Sequence, residues 1–329
     1  MNAGEGNCDD GATARTSSSP PRRSGTGRVI VRLLGGMGNQ LFQYAAGRAL
    51  AEASGRVLVF DTALLDQDRL RAYSLEAWGV QVPRGVPRLA PSVVLRMPGL
   101  WRALRHTGGR VMIGDTLCLF DRMGGEPLEA NRPEVASARE ARDVVLTGYW
   151  QQRDYFAPIE EALRRALRPI RRMQFDADAL ALGADAGAIA VHVRRGDYTS
   201  AASSPMHPVV PLSYQQEAIR RIGAERPELR EALVFTDDPE WAAAQVTLPI
   251  ATRVVSTPGG APERDLWIMS RCGAVVMANS SFSWWAAWLA EAHGALIVAP
   301  NPWFGPAGAT FKHPAPEAWE RVGWGKGEE

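Results

Sequence analysis

Two adjacent arginines stand in a stretch of the chain that could bind an anion. Arg194 and Arg195 follow the apolar run 188–193 and precede Gly196 and Asp197. The run has the length and composition of a buried strand, and ligands bind at the carboxyl ends of strands in open α/β sheets. Paired guanidinium groups hold phosphate oxygens in a fixed geometry. The stretch therefore suggests a phosphate site, and an ordinary ion pair at a strand end is the competing interpretation.

Two further polar segments follow predicted strands in the same half of the chain. Asp237 and Asp238 come at the end of the apolar run 232–236, and the segment N-S-S-F-S at 279–283 follows the run 274–278. The carboxyl ends of parallel strands share one edge of a sheet. We therefore expect both segments and the arginine pair to converge on one crevice.

The chemistry of these segments suits a nucleotide. A helix that begins at Ser280 or Ser281 would offer N–H groups and hydroxyls to a diphosphate. Asp237 or Asp238 could accept a hydrogen bond from a ribose hydroxyl or a base amine. Structural roles compete, because serine is a good helix N-cap and an aspartate before proline is an ordinary helix start. Three such segments on one edge favour a diphosphate site.

A glycine-rich turn near the start of the chain joins a predicted strand, 29–34, to a predicted helix. It contains Gly36, Gly38, Asn39 and Gln40. The Gly-Lys-Ser/Thr of a Walker A loop is missing, and so is the third glycine of a dinucleotide-binding fingerprint. The loop still brings backbone N–H groups and two side-chain amides to one face. A ligand contact and a tight turn that requires glycine both remain open.

Periodicity predicts an α/β protein in two halves. The first half begins as a strand, a loop, a helix that ends near Gly55, and a second strand at 56–60. From residue 188 strands and helices alternate, which indicates a mainly parallel sheet covered on both faces. The predicted strands of this half are 188–193, 232–236, 252–255, 274–278 and 295–299, and the predicted helices are 211–225, 239–245, 263–271 and 281–293.

The remaining segments have weaker patterns. Residues 62–146 are expected to form short helices and loops, followed by a strand at 144–149. An arginine-rich helix at 160–172 should break near Pro169, and a solvated face is favoured over contact with an anionic membrane surface. Residues 174–187 are predicted as a connection.

Three tryptophans at helical spacing, Trp284, Trp285 and Trp288, are assigned to the core rather than to a sugar-binding surface. The predicted domains are a disordered leader at 1–27, an N-terminal acceptor-side domain at 28–173 and a C-terminal nucleotide-binding domain at 174–329.

Charge and cysteine content exclude several classes of protein. The net charge of +1 argues against a general nucleic-acid binder. The 3 cysteines have no paired spacing, which fits a reducing compartment and neither a disulfide framework nor a metal cluster. No apolar run approaches the roughly 18 residues of a membrane span. We expect a cytoplasmic protein, with at most peripheral contact at the inner face of the membrane.

Motifs spread along the chain together resemble those of one family. They are G-G-x-G-N-Q-x-F-Q-Y-A at 35–45, H-x-R-R-x-D at 192–197, T-D-D at 236–238 and S-S-F-S-W-W at 280–285. This set is similar to that of the α-1,2-fucosyltransferases, glycosyltransferase family 11. The H-x-R-R-x-D motif alone is shared with α-1,6- and protein O-fucosyltransferases, whereas the combination is specific.

The resemblance implies a GT-B-like fold, in which two Rossmann-like domains face a cleft. It implies GDP-fucose as the donor substrate, a galactose-terminated oligosaccharide or glycolipid as the acceptor, and inverting transfer to the 2-hydroxyl without a cofactor or metal. The donor-binding residues that it implies are Gly36, Gly38, Asn39, His192, Arg194, Arg195, Asp237, Asp238, Ser280, Ser281 and Phe282. Among these, Arg195 would hold the diphosphate, Asp237 or Asp238 the guanosine, and Asn39 would face the sugar.

Inverting transfer sets two chemical tasks. Charge that develops on the β-phosphate must be stabilised, which Arg195 and a helix N-terminus at Ser281 could do. The acceptor hydroxyl must lose a proton, normally to a carboxylate or to a water held by one. Asp197 is the nearest acid, but it could equally orient an arginine, and Asn39 could position the acceptor. The catalytic candidates are therefore Arg195, Asp197 and Asn39.

Two departures from the family pattern shape the expectation. Animal members carry an N-terminal membrane anchor that this sequence lacks, which suggests a bacterial enzyme of surface polysaccharide or lipopolysaccharide synthesis. Some α-1,6 relatives place a glutamate shortly after H-x-R-R-x-D, whereas 198–205 contains no acid. The alternatives are a fucosyltransferase of another linkage, α-1,6 or protein O-fucosyl, and a nucleotide- or carbohydrate-binding protein that transfers nothing.

Overall fold

The computed structural model describes residues 27–68, 70–85, 110–121, 141–184, 187–199 and 205–324. The predicted leader at 1–27, apart from its last residue, lies outside these ranges, as does much of the segment 62–146.

Strands and helices are numbered here in chain order. The strands are β1 (Arg28–Arg32), β2 (Val57–Asp61), β3 (Arg110–Ile113), β4 (Thr116–Phe120), β5 (Asp143–Thr147), β6 (Ala188–Val193), β7 (Glu231–Thr236), β8 (Ala251–Val254), β9 (Ala274–Val276), β10 (Leu296–Asn301) and β11 (Glu320–Gly323). The helices are α1 (Met37–Ser54), α2 (Glu160–Ala166), α3 (Arg172–Ala181), α4 (Leu212–Glu225), α5 (Pro239–Gln245), α6 (Pro262–Met269) and α7 (Ser281–Glu291).

The first sheet has the strand order β2-β1-β5-β4-β3. All its neighbouring strands are parallel except β3, which pairs antiparallel with β4. The helix α1 ends at Gly55 in the left-handed conformation, as the sequence predicted. The β3–β4 hairpin is a correction, because this region was expected to form only short helices and loops. The two strands are four and five residues long, which is too short for a clear alternating pattern.

The second sheet has the order β11-β10-β9-β6-β7-β8, and every neighbouring pair in it is parallel. The prediction of a mainly parallel sheet from residue 188 onward is confirmed. Helices follow β6, β7, β8 and β9, so the carboxyl ends of these strands share one edge. The strand β11 was not predicted.

The connection between the two sheets differs from its prediction. The basic helix predicted at 160–172 ends already at Ala166, because the residue before Pro169 is restricted to non-helical conformations. The segment expected to be a plain connection, 174–187, lies partly in α3. This helix buries Phe175 and Ala179 and accepts a hydrogen bond from the Trp267 indole, whose Nε1 lies 2.8 Å from Asp176 Oδ1.

The largest apolar cluster contains residues of both sheets. The helices α1 and α7 join them, since Phe42 of α1 lies 4.5 Å from Trp284 and 4.9 Å from Trp285, measured between ring centroids. Trp284, Trp285 and Trp288 are completely buried, which agrees with their predicted core role. The Trp285 indole N–H also donates to the Gly38 carbonyl, at 2.9 Å. The relative position of the two sheets is therefore set by packed aromatic rings.

Candidate functional site

A cleft of about 740 Å³ lies between the two sheets. Its N-terminal wall consists of the glycine-rich turn before α1, the loop residues 64, 65, 68, 70–72 and 74, and Tyr149 and Gln151. Its C-terminal wall consists of the segments that follow β6, β7, β8 and β9. The sequence prediction that these strand ends converge on one crevice agrees with this arrangement. A second cavity, of about 680 Å³ beside α2, contains none of the predicted site residues.

Most of the predicted site residues line the cleft. They are Gly36, Gly38, Asn39, His192, Arg194, Asp197, Asp237, Ser280, Ser281 and Phe282. Arg195 and Asp238 are not among the lining residues.

Arg194 is the arginine of the pair that faces the cleft. Its Nη2 lies 2.6 Å from Asp197 Oδ1, and its Nη1 lies 2.9 Å from Asp237 Oδ2. Burial alone would lower the pKa of this guanidinium, but Asp237 and Asp197 outweigh burial and raise it. The group is therefore a permanent cation held rigidly at the carboxyl end of β6.

Arg195 packs away from the cleft. Its guanidinium lies 3.7 Å from the centroid of the Trp241 ring, and its Nε lies 3.7 Å from Asp238 Oδ2. Its main-chain N–H donates to Asp237 Oδ1 at 3.0 Å. Asp238 caps α5, because its Oδ1 accepts from the Trp241 N–H at 3.2 Å. These contacts hold together the loops that follow β6 and β7.

Asp197 connects the two walls of the cleft. Its Oδ2 lies 3.0 Å from Nη2 of Arg71, a residue of the N-terminal wall, while Oδ1 binds Arg194. Partial burial would raise the pKa of this carboxyl, but Arg194 and Arg71 lower it. A carboxylate held by two guanidinium groups is a weak base, so the geometry favours the orienting role for Asp197.

Asn39 also bridges the walls. Its Oδ1 accepts hydrogen bonds from Gln151 Nε2 and from Ser281 Oγ, both at 2.7 Å. Ser280 acts as the N-cap of α7, with its Oγ accepting from the Phe282 N–H at 3.3 Å. Ser280 thus has the N-cap role that the sequence analysis weighed against ligand binding. The N-terminus of α7 also faces the cleft, where it can attract an anion.

His192 is buried at the base of the cleft, with 4 % of its surface exposed, and its ring lies 5.3 Å from that of Phe282. Its Nδ1 has no hydrogen-bond partner. Burial, with a smaller contribution from Arg194, lowers its pKa to about 3. The imidazole is therefore neutral at physiological pH and can offer a hydrogen bond to a ligand without adding charge.

The low pKa of His192 predicts a loss of stability in acid. The unfolded chain takes up a proton near pH 6.5, whereas the folded chain excludes it until about pH 3. Above pH 6.5 His192 is neutral in both states and does not affect the free energy of unfolding. Below pH 6.5 the free energy of unfolding declines by up to about 1.4 kcal/mol per pH unit. Urea unfolding of the wild type and of His192→Gln between pH 7 and pH 4 measures this, and we expect a shallower decline for the variant. Parallel curves would contradict the prediction.

Two charged residues that line the cleft, Arg71 and Asp265, were not identified from the sequence. Arg71 stands in a loop with no recognisable pattern. Asp265 lies in the first turn of α6, where burial raises its pKa and Ser256 Oγ donates to it at 2.5 Å. Gln40, whose amide the sequence placed on the same face as that of Asn39, does not line the cleft and is completely buried. Its Nε2 donates to the carbonyls of residues 35 and 72, and its Oε1 accepts from the Ser74 N–H.

The described ranges contain neither a metal-binding cluster nor a membrane-spanning helix. No cluster of three or more His, Cys, Asp or Glu side chains in them could hold a metal ion. No helix within the same residues has the length and apolar character needed to cross a membrane.

The architecture is that of a GT-B-like glycosyltransferase, with two α/β units built on parallel sheets that face a cleft. The solved structure of "NodZ alpha-1,6-fucosyltransferase soaked with GDP-fucose" shares this fold, with a TM-score of 0.50 at 19% identity over 84% of this chain and 96% of that one. The model of the family "Glycosyl transferase family 11" matches residues 137–324. The chain belongs to this family, and the resemblance found in the sequence is confirmed.

Curated relatives extend the match over most of the chain. An alpha-1,2-colitosyltransferase from Escherichia coli is 30% identical over 89% of this chain and 98% of its own length. The O-antigen biosynthesis glycosyltransferase WbnK, also from Escherichia coli, is 30% identical over 83% of this chain and 93% of its own length. Human galactoside alpha-(1,2)-fucosyltransferase 1 is 26% identical over 85% of this chain and 69% of its own length.

Proposed function

We propose that the protein is an inverting glycosyltransferase that transfers L-fucose from GDP-fucose to the 2-hydroxyl of a terminal galactoside. The observation that carries the proposal is the cleft itself. In this member of family 11, the cleft brings three groups to one sheet edge. They are the guanidinium of Arg194, the neutral imidazole of His192 and the N-terminus of α7. The α-1,2 linkage in the names of two relatives supports the position of transfer.

The donor diphosphate is proposed to lie between Arg194 and the N-terminus of α7. Arg194 supplies a fixed positive charge, and the first turn of α7, at Ser281 and Phe282, supplies backbone N–H groups that need no reorganisation during the reaction. As the bond between C1 of fucose and the β-phosphate oxygen breaks, the electron pair stays on GDP, and these groups stabilise its added charge. Arg195 is proposed to support this site by fixing the loop after β6.

The acceptor is proposed to approach from the N-terminal wall, where Asn39 faces the cleft. Its attacking hydroxyl forms the new bond to C1 on the side opposite GDP and releases its proton to solvent water. Asp197, held by Arg71 and Arg194, is proposed to orient these cations rather than to take that proton. Gly36, whose added Cβ would meet no atom within 4 Å, leaves room for the donor beside the start of α1.

Transfer of labelled fucose from GDP-fucose to a panel of terminal β-galactosides tests the proposal. We expect a 2-linked product, formed equally well in the presence of EDTA, because the diphosphate charge is met by arginine and helix N–H groups. Arg221→Gln, an exposed arginine outside the cleft, is the control and should keep wild-type activity. A product of another linkage would favour the α-1,6 or protein O-fucosyl alternative. GDP binding without any transfer would favour a binding protein.

A second candidate concerns the donor sugar. The alpha-1,2-colitosyltransferase among the relatives is similar over nearly the whole chain, so transfer of colitose to the same position is the competing activity. The two donors are compared by kcat/KM on one acceptor, and a higher value for the colitosyl donor would replace fucose in the proposal.

A biological setting is proposed from the same relatives. The name of WbnK places that protein in O-antigen biosynthesis, and we propose a comparable role in a surface polysaccharide or lipopolysaccharide for this chain. Deletion of the gene should remove one fucose from the surface glycan. Unchanged glycan composition would contradict this setting while leaving the transfer reaction untouched.

A further inference from the structure

We propose that Arg71 binds the diphosphate of the donor nucleotide from the N-terminal wall, opposite Arg194. This inference rests on the proposed function, since it assigns a further contact to the same donor site. Asp197 holds the guanidinium of Arg71, with Nη2 and Oδ2 3.0 Å apart.

Hydrogen bonds on both sides of Arg71 fix the backbone of the loop that carries it. On one side, the Asp68 carboxylate accepts from the Arg71 main-chain N–H at 3.2 Å. On the other side, the buried Gln40 amide donates to the Ala72 carbonyl and accepts from the Ser74 N–H, both at 2.9 Å. A completely buried amide fixes a loop far more firmly than surface contacts do, because breaking its bonds leaves polar atoms unpaired. Arg71 therefore reaches the cleft from an anchored backbone.

The charges at the cleft show why a second cation matters. Among the described residues that line it, the arginines are Arg71 and Arg194, and the acids are Asp68, Asp197, Asp237 and Asp265. Arg194 is shared between two of these acids, so its charge is already compensated. Without Arg71, the group formed by Arg194, Asp197 and Asp237 would carry a net charge of −1 and would repel a diphosphate. Arg71 brings that group to neutrality.

Binding from two sides also fits the chemistry of the ligand. A diphosphate offers oxygens in several directions, and each guanidinium can bind phosphate oxygens through two parallel N–H groups. When the ligand enters, its oxygens take the place of the Asp197 carboxylate as acceptors for Arg71. Because Arg71 and Arg194 stand on opposite walls, one diphosphate then links both walls.

The test measures GDP and guanosine binding to the full-length chain by displacement of a fluorescent GDP derivative. Arg71→Gln should weaken GDP binding by about tenfold or more, the loss expected for a charge-assisted hydrogen bond. Guanosine binding should stay within about twofold of the wild type, because no phosphate is present. Arg71→Lys should give an intermediate loss, since lysine keeps the charge but not the planar fork. The matched control is Arg221→Gln, whose guanidinium also binds two carboxylates, at 2.8 and 3.0 Å, outside the cleft.

The outcomes separate this inference from the proposed function. Equal GDP affinity in the wild type and Arg71→Gln would overturn the inference and leave the donor site standing. An equal loss for GDP and guanosine would also overturn it, because the residue would then support the wall rather than the phosphates. Wild-type protein that binds no GDP would overturn the proposed function itself.

Discussion

Arg194→Ala is expected to lower kcat/KM for fucosyl transfer by at least about a hundredfold, the loss typical when one preorganised group that stabilises developing charge is removed. Its guanidinium lines the cleft and is fixed by Asp197 and Asp237. Truncation removes the cation and leaves those two acids facing the diphosphate. Both effects act in the same direction, so the loss should appear in GDP affinity and in kcat.

Arg195→Ala is the matched comparison and should reduce activity by less than about tenfold. It removes a guanidinium stacked on Trp241, a contact worth about 0.5–2 kcal/mol, while the main-chain N–H that binds Asp237 remains. Steady-state kinetics and GDP titration on both variants, with thermal unfolding as a check of folding, decide between the arginines. A larger loss in Arg195→Ala would support the direct diphosphate role that the family resemblance implies for Arg195.

The contrast between Arg194 and Arg195 shows what could not be predicted from the sequence. The apolar run before them and the alternation after residue 188 sufficed to predict a strand end at a ligand-binding edge. The two arginines follow the strand directly, and their side chains separate: Arg194 lines the cleft, whereas Arg195 stacks on Trp241. Which arginine lines the cleft depends on Trp241, a partner more than 40 residues distant whose place no local pattern reveals.

Two other features escaped prediction for related physical reasons. The helix α3 leaves Met173 and Leu180 exposed, at 87 % and 69 %, so its apolar residues do not follow a single buried face. The contact between Arg71 and Asp197 joins residues 126 positions apart, and it depends on how the two sheets are placed. The sequence motifs identified the strand ends that form the C-terminal wall. The position of Arg71 in the N-terminal wall could be found only from the three-dimensional structure.

The glycine-rich turn shows that one motif can serve both packing and binding. A Cβ on Gly38 would lie 2.5 Å from the Ser281 carbonyl carbon and 2.6 Å from the Phe282 nitrogen. The backbones of α1 and α7 therefore touch at this point, which keeps Asn39 in reach of Ser281. A Cβ on Gly36 would meet no atom within 4 Å. The family resemblance implies that both glycines contact the donor, but only Gly36 has open space beside it.

Gly38→Ala is expected to destabilise the protein by about 3 kcal/mol, at the upper end of the usual cost of overpacking. The atoms in the way belong to backbone, so relief requires α1 and α7 to separate, which strains the hydrogen bond from Trp285 to the Gly38 carbonyl and the one from Ser281 to Asn39. Urea unfolding followed by tryptophan fluorescence measures the loss, because Trp284 and Trp285 lie at this contact.

Gly36→Ala is the control in the same turn, and its expected result is the reverse. Its φ of −75° suits alanine, so the free energy of unfolding should change by less than about 1 kcal/mol. The added methyl group would enter the cleft, however, and should raise KM for GDP-fucose. If Gly38→Ala proved as stable as Gly36→Ala, the two helices could not be in backbone contact. If Gly36→Ala left KM unchanged, the donor would have to lie further from the start of α1 than proposed.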